Sequence, residues 1–248
     1  MKLYKFKSSI RSFILNHEVT YKLWFYSFRS LKGRRLPNAK DHFYFDGYPR
    51  SGNTYFVGYL KRVFSDLRFT SHLHSTIALK IALKLKIPTF ILIRSPEDAV
   101  SSNLYRVLAG SSRLATHEEI DGIIDDLIDD KITEYIRYYQ LVKNNLEVLN
   151  VTTFRSCIVN EVGVAQKISE IVRGHPNNKG RLEGILQEHK RDMKLKEKKK
   201  NSSVSSLPNE ERNRFKKEYK IKIKKSKHFS EAKMLYENLN TLDFSAVE

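Results

Sequence analysis

One eight-residue segment constrains the fold more than any other part of the sequence: residues 47–54 read GYPRSGNT. Its two glycines have the G-x-x-x-x-G spacing of a nucleotide-binding P-loop. A short aromatic strand is predicted directly before it, at His42 to Asp46, and an apolar-periodic helix directly after it, from about Thr54 to Phe64. Backbone N–H groups of such a loop, with the positive end of the following helix, bind an anion without a metal ion. The alternative is a Gly/Pro turn that binds nothing.

The rest of the chain alternates between predicted strands and helices. Further strands are predicted at residues 68–71, 89–93 and 148–154, and further helices at 76–86, 96–108, 117–145 and 161–173. Such alternation predicts one α/β domain of the P-loop NTPase-like type, with a central parallel sheet of about five strands flanked by helices. We expect residues 1–40 to form a basic helical extension and 41–248 the domain, whose part from 186 to 248 is basic and mostly helical.

The chain of 248 residues carries a formal net charge of +17, which favours an anionic ligand or partner. The basic C-terminal part lacks a nucleic-acid-binding motif, so a nucleic-acid partner is disfavoured although it stays open. A single cysteine, Cys157, excludes an internal disulfide and is typical of a reducing compartment, so we expect a cytoplasmic protein. No stretch is long and apolar enough to predict a transmembrane helix, and contact of the basic N-terminal segment with a membrane surface stays open.

Two positions in the loop decide which anion it suits. Asn53 stands where a Walker A loop carries the Lys that reaches the β and γ phosphates, which disfavours an ordinary NTPase or P-loop kinase. Arg50 supplies a positive charge from inside the loop instead. The segment resembles the 5′-phosphosulfate-binding loop of sulfotransferases that use 3′-phosphoadenosine-5′-phosphosulfate (PAPS), whose pattern is Y-P-[KR]-S-G-[TN]-T followed by an aromatic residue. Here that aromatic residue is Tyr55, where the family usually has Trp.

A second motif follows the predicted strand at residues 89–93. Arg94, Asp98, Ser102 and Arg106 form an R-x-x-x-D-x-x-x-S-x-x-x-R series, and steps of four place the last three on one helix face. Alone the series is weak evidence for a binding site, because Asp and Arg side chains four residues apart often lie on the surface of a helix without binding a ligand. Arg94 ends a parallel strand, however, so we expect it beside the first loop. The series resembles the 3′-phosphate-binding motif of the same sulfotransferase family.

The resemblance, which covers roughly residues 43–106, implies a role for each matched residue. It implies that the side chain of Arg50 assists the leaving oxygen, while Ser51, Gly52, Asn53 and Thr54 bind the sulfate and the 5′-phosphate. It further implies that Tyr55 stacks on the adenine, and that Arg94 and Ser102 bind the 3′-phosphate. PAPS would be the co-substrate, and no metal is expected.

Sulfuryl transfer to a hydroxyl group needs a base, and a neutral imidazole suits that step. His72 lies between the two motifs, and Ser71-His72-Leu73 is similar to the T-H-L segment in which the family often has its base. We therefore predict His72 as the base, with His74 second. Many members of the family carry Lys two residues before that His. Here the residue is Thr70, so part of the usual positive charge is missing, and a protein that binds the nucleotide without turnover stays open.

The acceptor cannot be identified from the sequence. We expect a small-molecule or carbohydrate acceptor that offers a hydroxyl or an amine, bound near residues 111–145. In the family a C-terminal loop clamps the nucleotide, and residues 196–200 with 201–203 are the candidate segment, although they lack a clean R-K-G motif.

Overall fold

The computed structural model describes residues 17–29, 34–111, 123–199 and 210–244. Four strands form the sheet: β1 (Phe43–Gly47), β2 (Phe69–Ser71), β3 (Thr89–Ile93) and β4 (Leu149–Thr153). Ten α-helices lie in the same ranges: α1 (Glu18–Trp24), α2 (Asn53–Val63), α3 (Thr76–Lys84), α4 (Pro96–Ser111), α5 (Ile124–Lys143), α6 (Ser156–Val159), α7 (Glu161–Arg173), α8 (Lys179–Lys199), α9 (Glu210–Lys224) and α10 (Phe229–Asn240). A π-helical turn (Phe25–Arg29) follows α1, and a 3₁₀ turn (Leu146–Val148) precedes β4.

The sheet is parallel throughout, in the order β2-β1-β3-β4. The chain runs from β1 outward to β2 and then crosses back over β1 to reach β3. The carboxyl ends of β1 and β3 therefore lie side by side where the strand order reverses, which is where open α/β sheets bind ligands. The sequence after β1 is the GYPRSGNT loop, and the sequence after β3 begins with Arg94.

Two hydrophobic clusters cover the two faces of the sheet, because successive strand residues point to opposite sides. Tyr44 and Ile91 belong to one cluster, together with buried residues of α3, α4, α5, α9 and α10. Phe45 and Leu92 belong to the other, together with buried residues of α2, α7 and α8. A parallel sheet covered on both faces explains why β1 and β3 are buried at every position.

The predicted α/β architecture is confirmed, but the predicted number of strands is wrong. The described ranges contain four strands, not five. Beyond β4 the described chain adds only an isolated parallel bridge, which pairs Asp243 with Val151. A single pair of residues does not make a strand. The predicted strands and helices from residue 42 to 108 differ from the observed ones by a few residues at their ends.

Tyr21 of helix α1 and Phe25 of the π-helical turn after it are both buried in the cluster that contains Tyr44, and they join this part of the chain to the core. The division of the chain at residue 40 stays a prediction, and residues 1–16 and 30–33 of the predicted extension lie outside the described ranges. Within the described ranges, none of the helices combines the length and the apolar character that crossing a membrane requires.

Candidate functional site

The GYPRSGNT loop makes a sharp turn between β1 and α2. Gly47 must be glycine because an added Cβ would lie 2.2 Å from the carbonyl oxygen of Leu92 on the neighbouring strand. Gly52 has a φ of 102° and caps α2, and Arg50 has a φ of 71° although it is not glycine. Left-handed backbone costs a residue with a side chain about 1–2 kcal/mol, so the rest of the fold must hold Arg50 in place. This strained backbone lies at the amino end of α2, where the helix dipole favours an anion.

Arg94 and Ser102 contact this loop directly. Arg94 Nη1 donates to the carbonyl oxygen of Arg50 at 3.1 Å, across a sequence separation of 44 residues. Arg50 Nε donates to Ser102 Oγ at 3.2 Å, and Ser102 is buried. The two predicted motifs therefore meet at the carboxyl ends of β1 and β3, with two guanidinium groups on one loop.

Phe154 completes this contact from the end of β4. The Arg94 guanidinium carbon lies 4.1 Å from the centre of the Phe154 ring, which is the geometry of a cation–π interaction. A Cβ on Gly52 would lie 2.5 Å from the same ring. Phe154 therefore packs between the loop and Arg94, and it sets the distance between them.

Three tyrosine hydroxyls connect helix α5 with the loop and with the first residue after β3. Tyr139 Oη donates to the carbonyl oxygen of Leu92 at 2.9 Å, accepts from the Tyr48 backbone N–H at 3.3 Å and lies 3.3 Å from Ser51 Oγ. Tyr48 Oη donates to the Lys131 carbonyl oxygen at 2.9 Å. The third hydroxyl, of Tyr135, reaches the other motif.

Tyr135 Oη donates to the Arg94 carbonyl oxygen at 2.7 Å. The same helix thus fixes both the loop after β1 and the first residue after β3. Buried hydrogen-bonded networks of this kind hold a single backbone geometry, because breaking any bond would leave a buried polar group without a partner.

The acidic member of the second motif, Asp98, pairs with helix α9. Lys220 Nζ lies 2.6 Å from Asp98 Oδ1. Partial burial would raise the pKa of Asp98, but Lys220, Arg94 and the Ser95 hydroxyl together lower it below its ordinary value. The fourth member, Arg106, is exposed on α4. Only part of the predicted series therefore lines the loop.

Asp46, the last residue before the loop, organises the backbone after β2. Its carboxylate is fully buried and accepts from the backbone N–H groups of Leu73 and His74, at 3.0 and 2.7 Å. It also accepts from Tyr44 Oη at 2.7 Å and from the Gly47 N–H at 2.9 Å. Burial would raise the pKa of Asp46, but the nearby His74 imidazole and these hydrogen bonds lower it below its ordinary value.

The two histidines after β2 lie in different environments. Both have left-handed backbone, with φ of 61° at His72 and 51° at His74, and their rings are 5.9 Å apart. His74 Nδ1 lies 2.7 Å from the Gly47 carbonyl oxygen and 3.1 Å from Asp46 Oδ1. His72 Nδ1 lies 3.3 Å from Ser71 Oγ, and burial together with His74 lowers the pKa of His72 to about 4. Of the two rings, His74 is the one bonded to the loop.

Asn53 and Thr54 open helix α2. The Asn53 side chain is buried, and its amide nitrogen lies 3.4 Å from the Gly47 carbonyl oxygen and 3.4 Å from His74 Nδ1. Thr54 is exposed. Asn53 therefore points back to the start of the loop and to His74.

Tyr55 is half-buried at the start of α2. Its hydroxyl donates to Glu161 Oε1 at 3.3 Å, and its ring centre lies 5.1 Å from that of His189 on α8. Burial and the adjacent Glu161 carboxylate raise the pKa of Tyr55 above its ordinary range. The ring is thus already fixed by two neighbours.

Thr70 stands where the sulfotransferase pattern often has Lys, and its side chain is directed to a buried carboxylate. Thr70 is buried and its hydroxyl donates to Asp41 Oδ2 at 2.8 Å. Asp41 also pairs with Arg35 and, at 3.3 Å, with Arg68. A different cation lies near the histidines: Arg34 Nη1 donates to the His72 carbonyl oxygen at 3.1 Å.

Other predicted parts of the site are only partly covered by the structure. Lys200 and residues 201–203 lie outside the described ranges, as do residues 112–122 of the expected acceptor region, and of Lys196 to Lys199 only the helical backbone is described. No group of three or more His, Cys, Asp or Glu side chains in the described ranges could hold a metal ion. A cavity of about 320 Å³ lies away from the loop, between α1, residues 36–39 and the end of α3.

Three residues with roles in this geometry were missed from the sequence: Asp46, Tyr139 and Phe154. Asp46 had a visible signal, because a carboxylate at the end of an otherwise aromatic strand needs buried partners. Tyr139 and Phe154 had none, since each reaches the loop across a long separation in sequence.

The fold can be compared with known proteins. No family model matches the sequence, and none of the curated proteins matches it. Among solved structures, the chain matches the crystal structure of the mouse sulfotransferase SULT7A1 complexed with PAP, with a TM-score of 0.50 and 13% sequence identity. The match covers 83% of this chain and 90% of that chain. At this identity the likeness concerns the fold, and the sequence-based resemblance is confirmed at that level: the chain has the α/β fold of a sulfotransferase.

Proposed function

We propose that the protein is a sulfotransferase that moves a sulfuryl group from PAPS to a hydroxyl or an amine of an acceptor. The observation that carries the proposal is the meeting of the two motifs, in which Arg94 donates to the loop carbonyl of Arg50 and Arg50 donates to Ser102. Two cationic side chains on one glycine loop suit a ligand with anionic groups at both ends. A Gly/Pro turn without a ligand would not need them.

In this proposal each end of PAPS has its own residues. The loop residues Arg50, Ser51, Gly52, Asn53 and Thr54 bind the 5′-phosphosulfate, at the amino end of α2. Arg94 and Ser102 bind the 3′-phosphate, and Tyr55 stacks on the adenine. Asn53 in place of the Walker A lysine is the reason to prefer PAPS to ATP.

The chemistry is a direct in-line displacement. The acceptor oxygen forms a bond to sulfur while the bond from sulfur to the bridging phosphate oxygen breaks, and its electron pair leaves with adenosine 3′,5′-bisphosphate (PAP). The acceptor proton goes to an imidazole, for which His72 is the sequence-based candidate and His74 the second. Arg50 offsets the charge that develops on the leaving oxygen. Catalysis then comes mainly from positioning and electrostatic stabilisation.

We also propose a small-molecule or carbohydrate acceptor and a cytoplasmic site of action. The single cysteine supports a reducing compartment, because Cys157 is buried and free, and burial raises the pKa of its thiol above the ordinary range.

The test is calorimetry with PAP, adenosine 5′-phosphate and ATP, followed by an acceptor screen with sulfur-labelled PAPS. We expect PAP to bind more tightly than adenosine 5′-phosphate, which lacks the 3′-phosphate. Arg94→Ala should weaken PAP binding by about tenfold or more, because a hydrogen bond to a charged group contributes about 1.5–3 kcal/mol. Adenosine 5′-phosphate should lose less affinity than PAP, because Arg94 would affect it only through the bond to the loop carbonyl of Arg50.

Arg181→Ala is the matched control. Arg181 is exposed on α8, so the variant loses the same charge without touching the loop. Equal weakening in both variants would mean that PAP responds only to net charge. Magnesium-dependent turnover of ATP would favour a kinase or NTPase, and salt-sensitive binding of arbitrary DNA without PAP affinity would favour a nucleic-acid-binding protein.

A further inference from the structure

A buried carboxylate and an imidazole form a directed pair at the edge of the loop. Asp46 is fully buried, whereas 20% of the His74 side chain is exposed to solvent. Asp46 Oδ1 faces His74 Nδ1 at 3.1 Å, and Asp46 Oδ2 accepts the His74 backbone N–H at 2.7 Å. The same residue therefore fixes both the backbone and the ring of His74.

The hydrogen bonds of Nδ1 determine the tautomer of His74. Nδ1 faces two acceptors, the Gly47 carbonyl oxygen at 2.7 Å and the Asp46 carboxylate at 3.1 Å. Asn53 Nδ2 is close to both Nδ1 and the Gly47 oxygen, and it donates to the oxygen. Nδ1 must therefore carry the hydrogen in the neutral ring, which leaves the lone pair on Nε2.

His72 has a different arrangement. In the described part of the chain its ring bonds to Ser71 Oγ, and the carboxylate of Asp46 is directed to its neighbour instead. Burial, the adjacent His74 and the cations Lys61 and Arg34 all lower the pKa of His72, against a weaker opposing effect of Asp46, to a value of about 4. A base this weak has little driving force to take a proton from a hydroxyl group near neutral pH.

From this geometry we infer that His74 is the general base of the proposed sulfuryl transfer and that Asp46 is its positioning residue, so the base is not His72. The inference rests on the proposed function. Nε2 of His74 takes the acceptor proton as the acceptor oxygen bonds to sulfur and the bridging oxygen leaves with PAP. The Asp46 carboxylate stabilises the imidazolium that forms, which later releases the proton to water.

The position of His74 supports the assignment. Its ring is bonded to Gly47, the first residue of the loop, and lies against Asn53, which the proposal assigns to the sulfate end of PAPS. Left-handed backbone at His74 costs about 1–2 kcal/mol. The Asp46 bonds to the N–H groups of Leu73 and His74 offset this cost, so the strained turn is built around the pair.

Asparagine is the matched substitution for both histidines. Its side-chain N–H₂ can replace Nδ1–H as a donor to Gly47 and Asp46, it tolerates left-handed backbone, and it removes Nε2. We expect His74→Asn to lower kcat by about 10²–10⁴-fold, the range of general-base catalysis, with PAP affinity within about threefold of the parent protein. His72→Asn should lower kcat by less than about tenfold. His175→Asn, on an exposed residue, should leave kcat unchanged.

Chemical rescue separates catalysis from structure. Glycine also accommodates a φ of 51°, so His74→Gly should fold and leave space for a free base. Added imidazole should restore activity to His74→Gly by about tenfold or more and should not restore activity to His72→Gly. A merely structural role for His74 predicts no rescue.

Asp46→Asn tests the positioning role. In the parent protein, nitrogen-15 chemical shifts of the His74 ring should report hydrogen on Nδ1. In Asp46→Asn the amide oxygen should keep the three donors that bond to Oδ2, so the N–H₂ group faces Nδ1 in competition with the Gly47 carbonyl, and the shifts should report a mixture of tautomers. We expect kcat of Asp46→Asn to fall by about 10²-fold or more, with PAP affinity kept. An unchanged tautomer would overturn the positioning role of Asp46.

The outcomes distinguish this inference from the function on which it rests. If the parent protein transfers sulfuryl groups and His72→Asn loses more activity than His74→Asn, the assignment of the base is overturned and the function stands. If the parent protein neither binds PAP nor turns over PAPS, both fall together. If His74→Asn does not fold, which circular dichroism would reveal, rescue of His74→Gly decides between the two histidines.

Discussion

Substituting Gly52 by alanine tests whether the loop geometry is set by Phe154. Gly52 has a φ of 102°, and a Cβ added there would lie 2.5 and 2.6 Å from two carbon atoms of the Phe154 ring. Real Cβ atoms do not approach carbon so closely, so either the ring or the loop must move. The ring cannot move freely, because the Arg94 guanidinium lies over it at 4.1 Å.

Two costs add up in Gly52→Ala. Left-handed backbone costs a residue with a Cβ about 1–2 kcal/mol, and forcing an extra methyl group into packed surroundings costs about 1–3 kcal/mol. Alanine restricts the unfolded chain and returns about 0.4–1 kcal/mol. We therefore expect the free energy of unfolding to fall by about 2–4 kcal/mol.

Gly174→Ala provides the matched control. Gly174 has a φ of 79°, and an added Cβ there would have no heavy atom within 4 Å. Gly174→Ala therefore has the cost of left-handed backbone but no steric clash, and we expect the free energy of unfolding to fall by about 1 kcal/mol. Urea unfolding followed by circular dichroism measures both variants, and the difference between them is the cost of the collision.

A double-mutant cycle with Phe154→Ala tests whether the difference between Gly52→Ala and Gly174→Ala comes from contact with the Phe154 ring. Removing the ring should bring the cost of Gly52→Ala down to that of Gly174→Ala, a coupling of about 1–3 kcal/mol. If Gly52→Ala destabilises the protein no more than Gly174→Ala does, the close packing of Phe154 on the loop is refuted. If the coupling is absent, the extra cost comes from elsewhere.

Two further predictions concern buried side chains near the loop. Tyr139→Phe should lower the free energy of unfolding by about 1–3 kcal/mol, because the buried Tyr48 N–H and Leu92 carbonyl lose their partner. Tyr138→Phe should be neutral or slightly stabilising in the same urea titration, since the buried Tyr138 hydroxyl has no hydrogen-bond partner within the described ranges, and equal losses in the two variants would contradict this account. His72 makes stability depend on pH: the unfolded state takes up a proton near pH 6.5, but the folded state resists it down to about pH 4, so stability falls as the pH falls through this interval. His72→Asn should flatten the dependence of the free energy of unfolding on pH over this interval. The change is at most about 3 kcal/mol, and it is smaller than this limit because the ring is partly exposed to solvent. An unchanged slope would contradict the lowered pKa of His72.

The sequence allowed much of the central fold to be predicted because its signals are local. The strand at Thr89–Ile93 is a β-branched and apolar run, and Pro96 with two acids marks the start of α4, so both were predicted within a few residues. Helix α8 was expected only as part of a mostly helical segment from residue 186, and its bounds and its first turns were not predicted. In the part of it whose side chains are described, it buries little beyond Leu182, Leu186 and His189, which leaves too few apolar residues to show a helical period.

The fifth strand was expected from the usual size of such sheets, and no particular segment carried it. The chain at Asp243 reaches the sheet, but its side chain bonds to Thr153 and Ser156 and its backbone makes only a bridge to Val151. A segment held by side chains in this way has no strand periodicity, so the sequence could not distinguish it from a loop.

The choice between His72 and His74 as the base depends on a contact that similarity of pattern does not report. The pattern compared Ser71-His72-Leu73 with a family segment, and such a comparison cannot register which imidazole has a carboxylate behind it. That depends on Asp46, which lies 28 residues before His74 in sequence and only one strand away in the sheet. Because Asp46 also bonds to the backbone of Leu73 and His74, one carboxylate fixes the turn and the ring together. The residue that gives the two neighbouring histidines different surroundings therefore lies on a different strand, and its contact with His74 is visible only once β1 and β2 are paired.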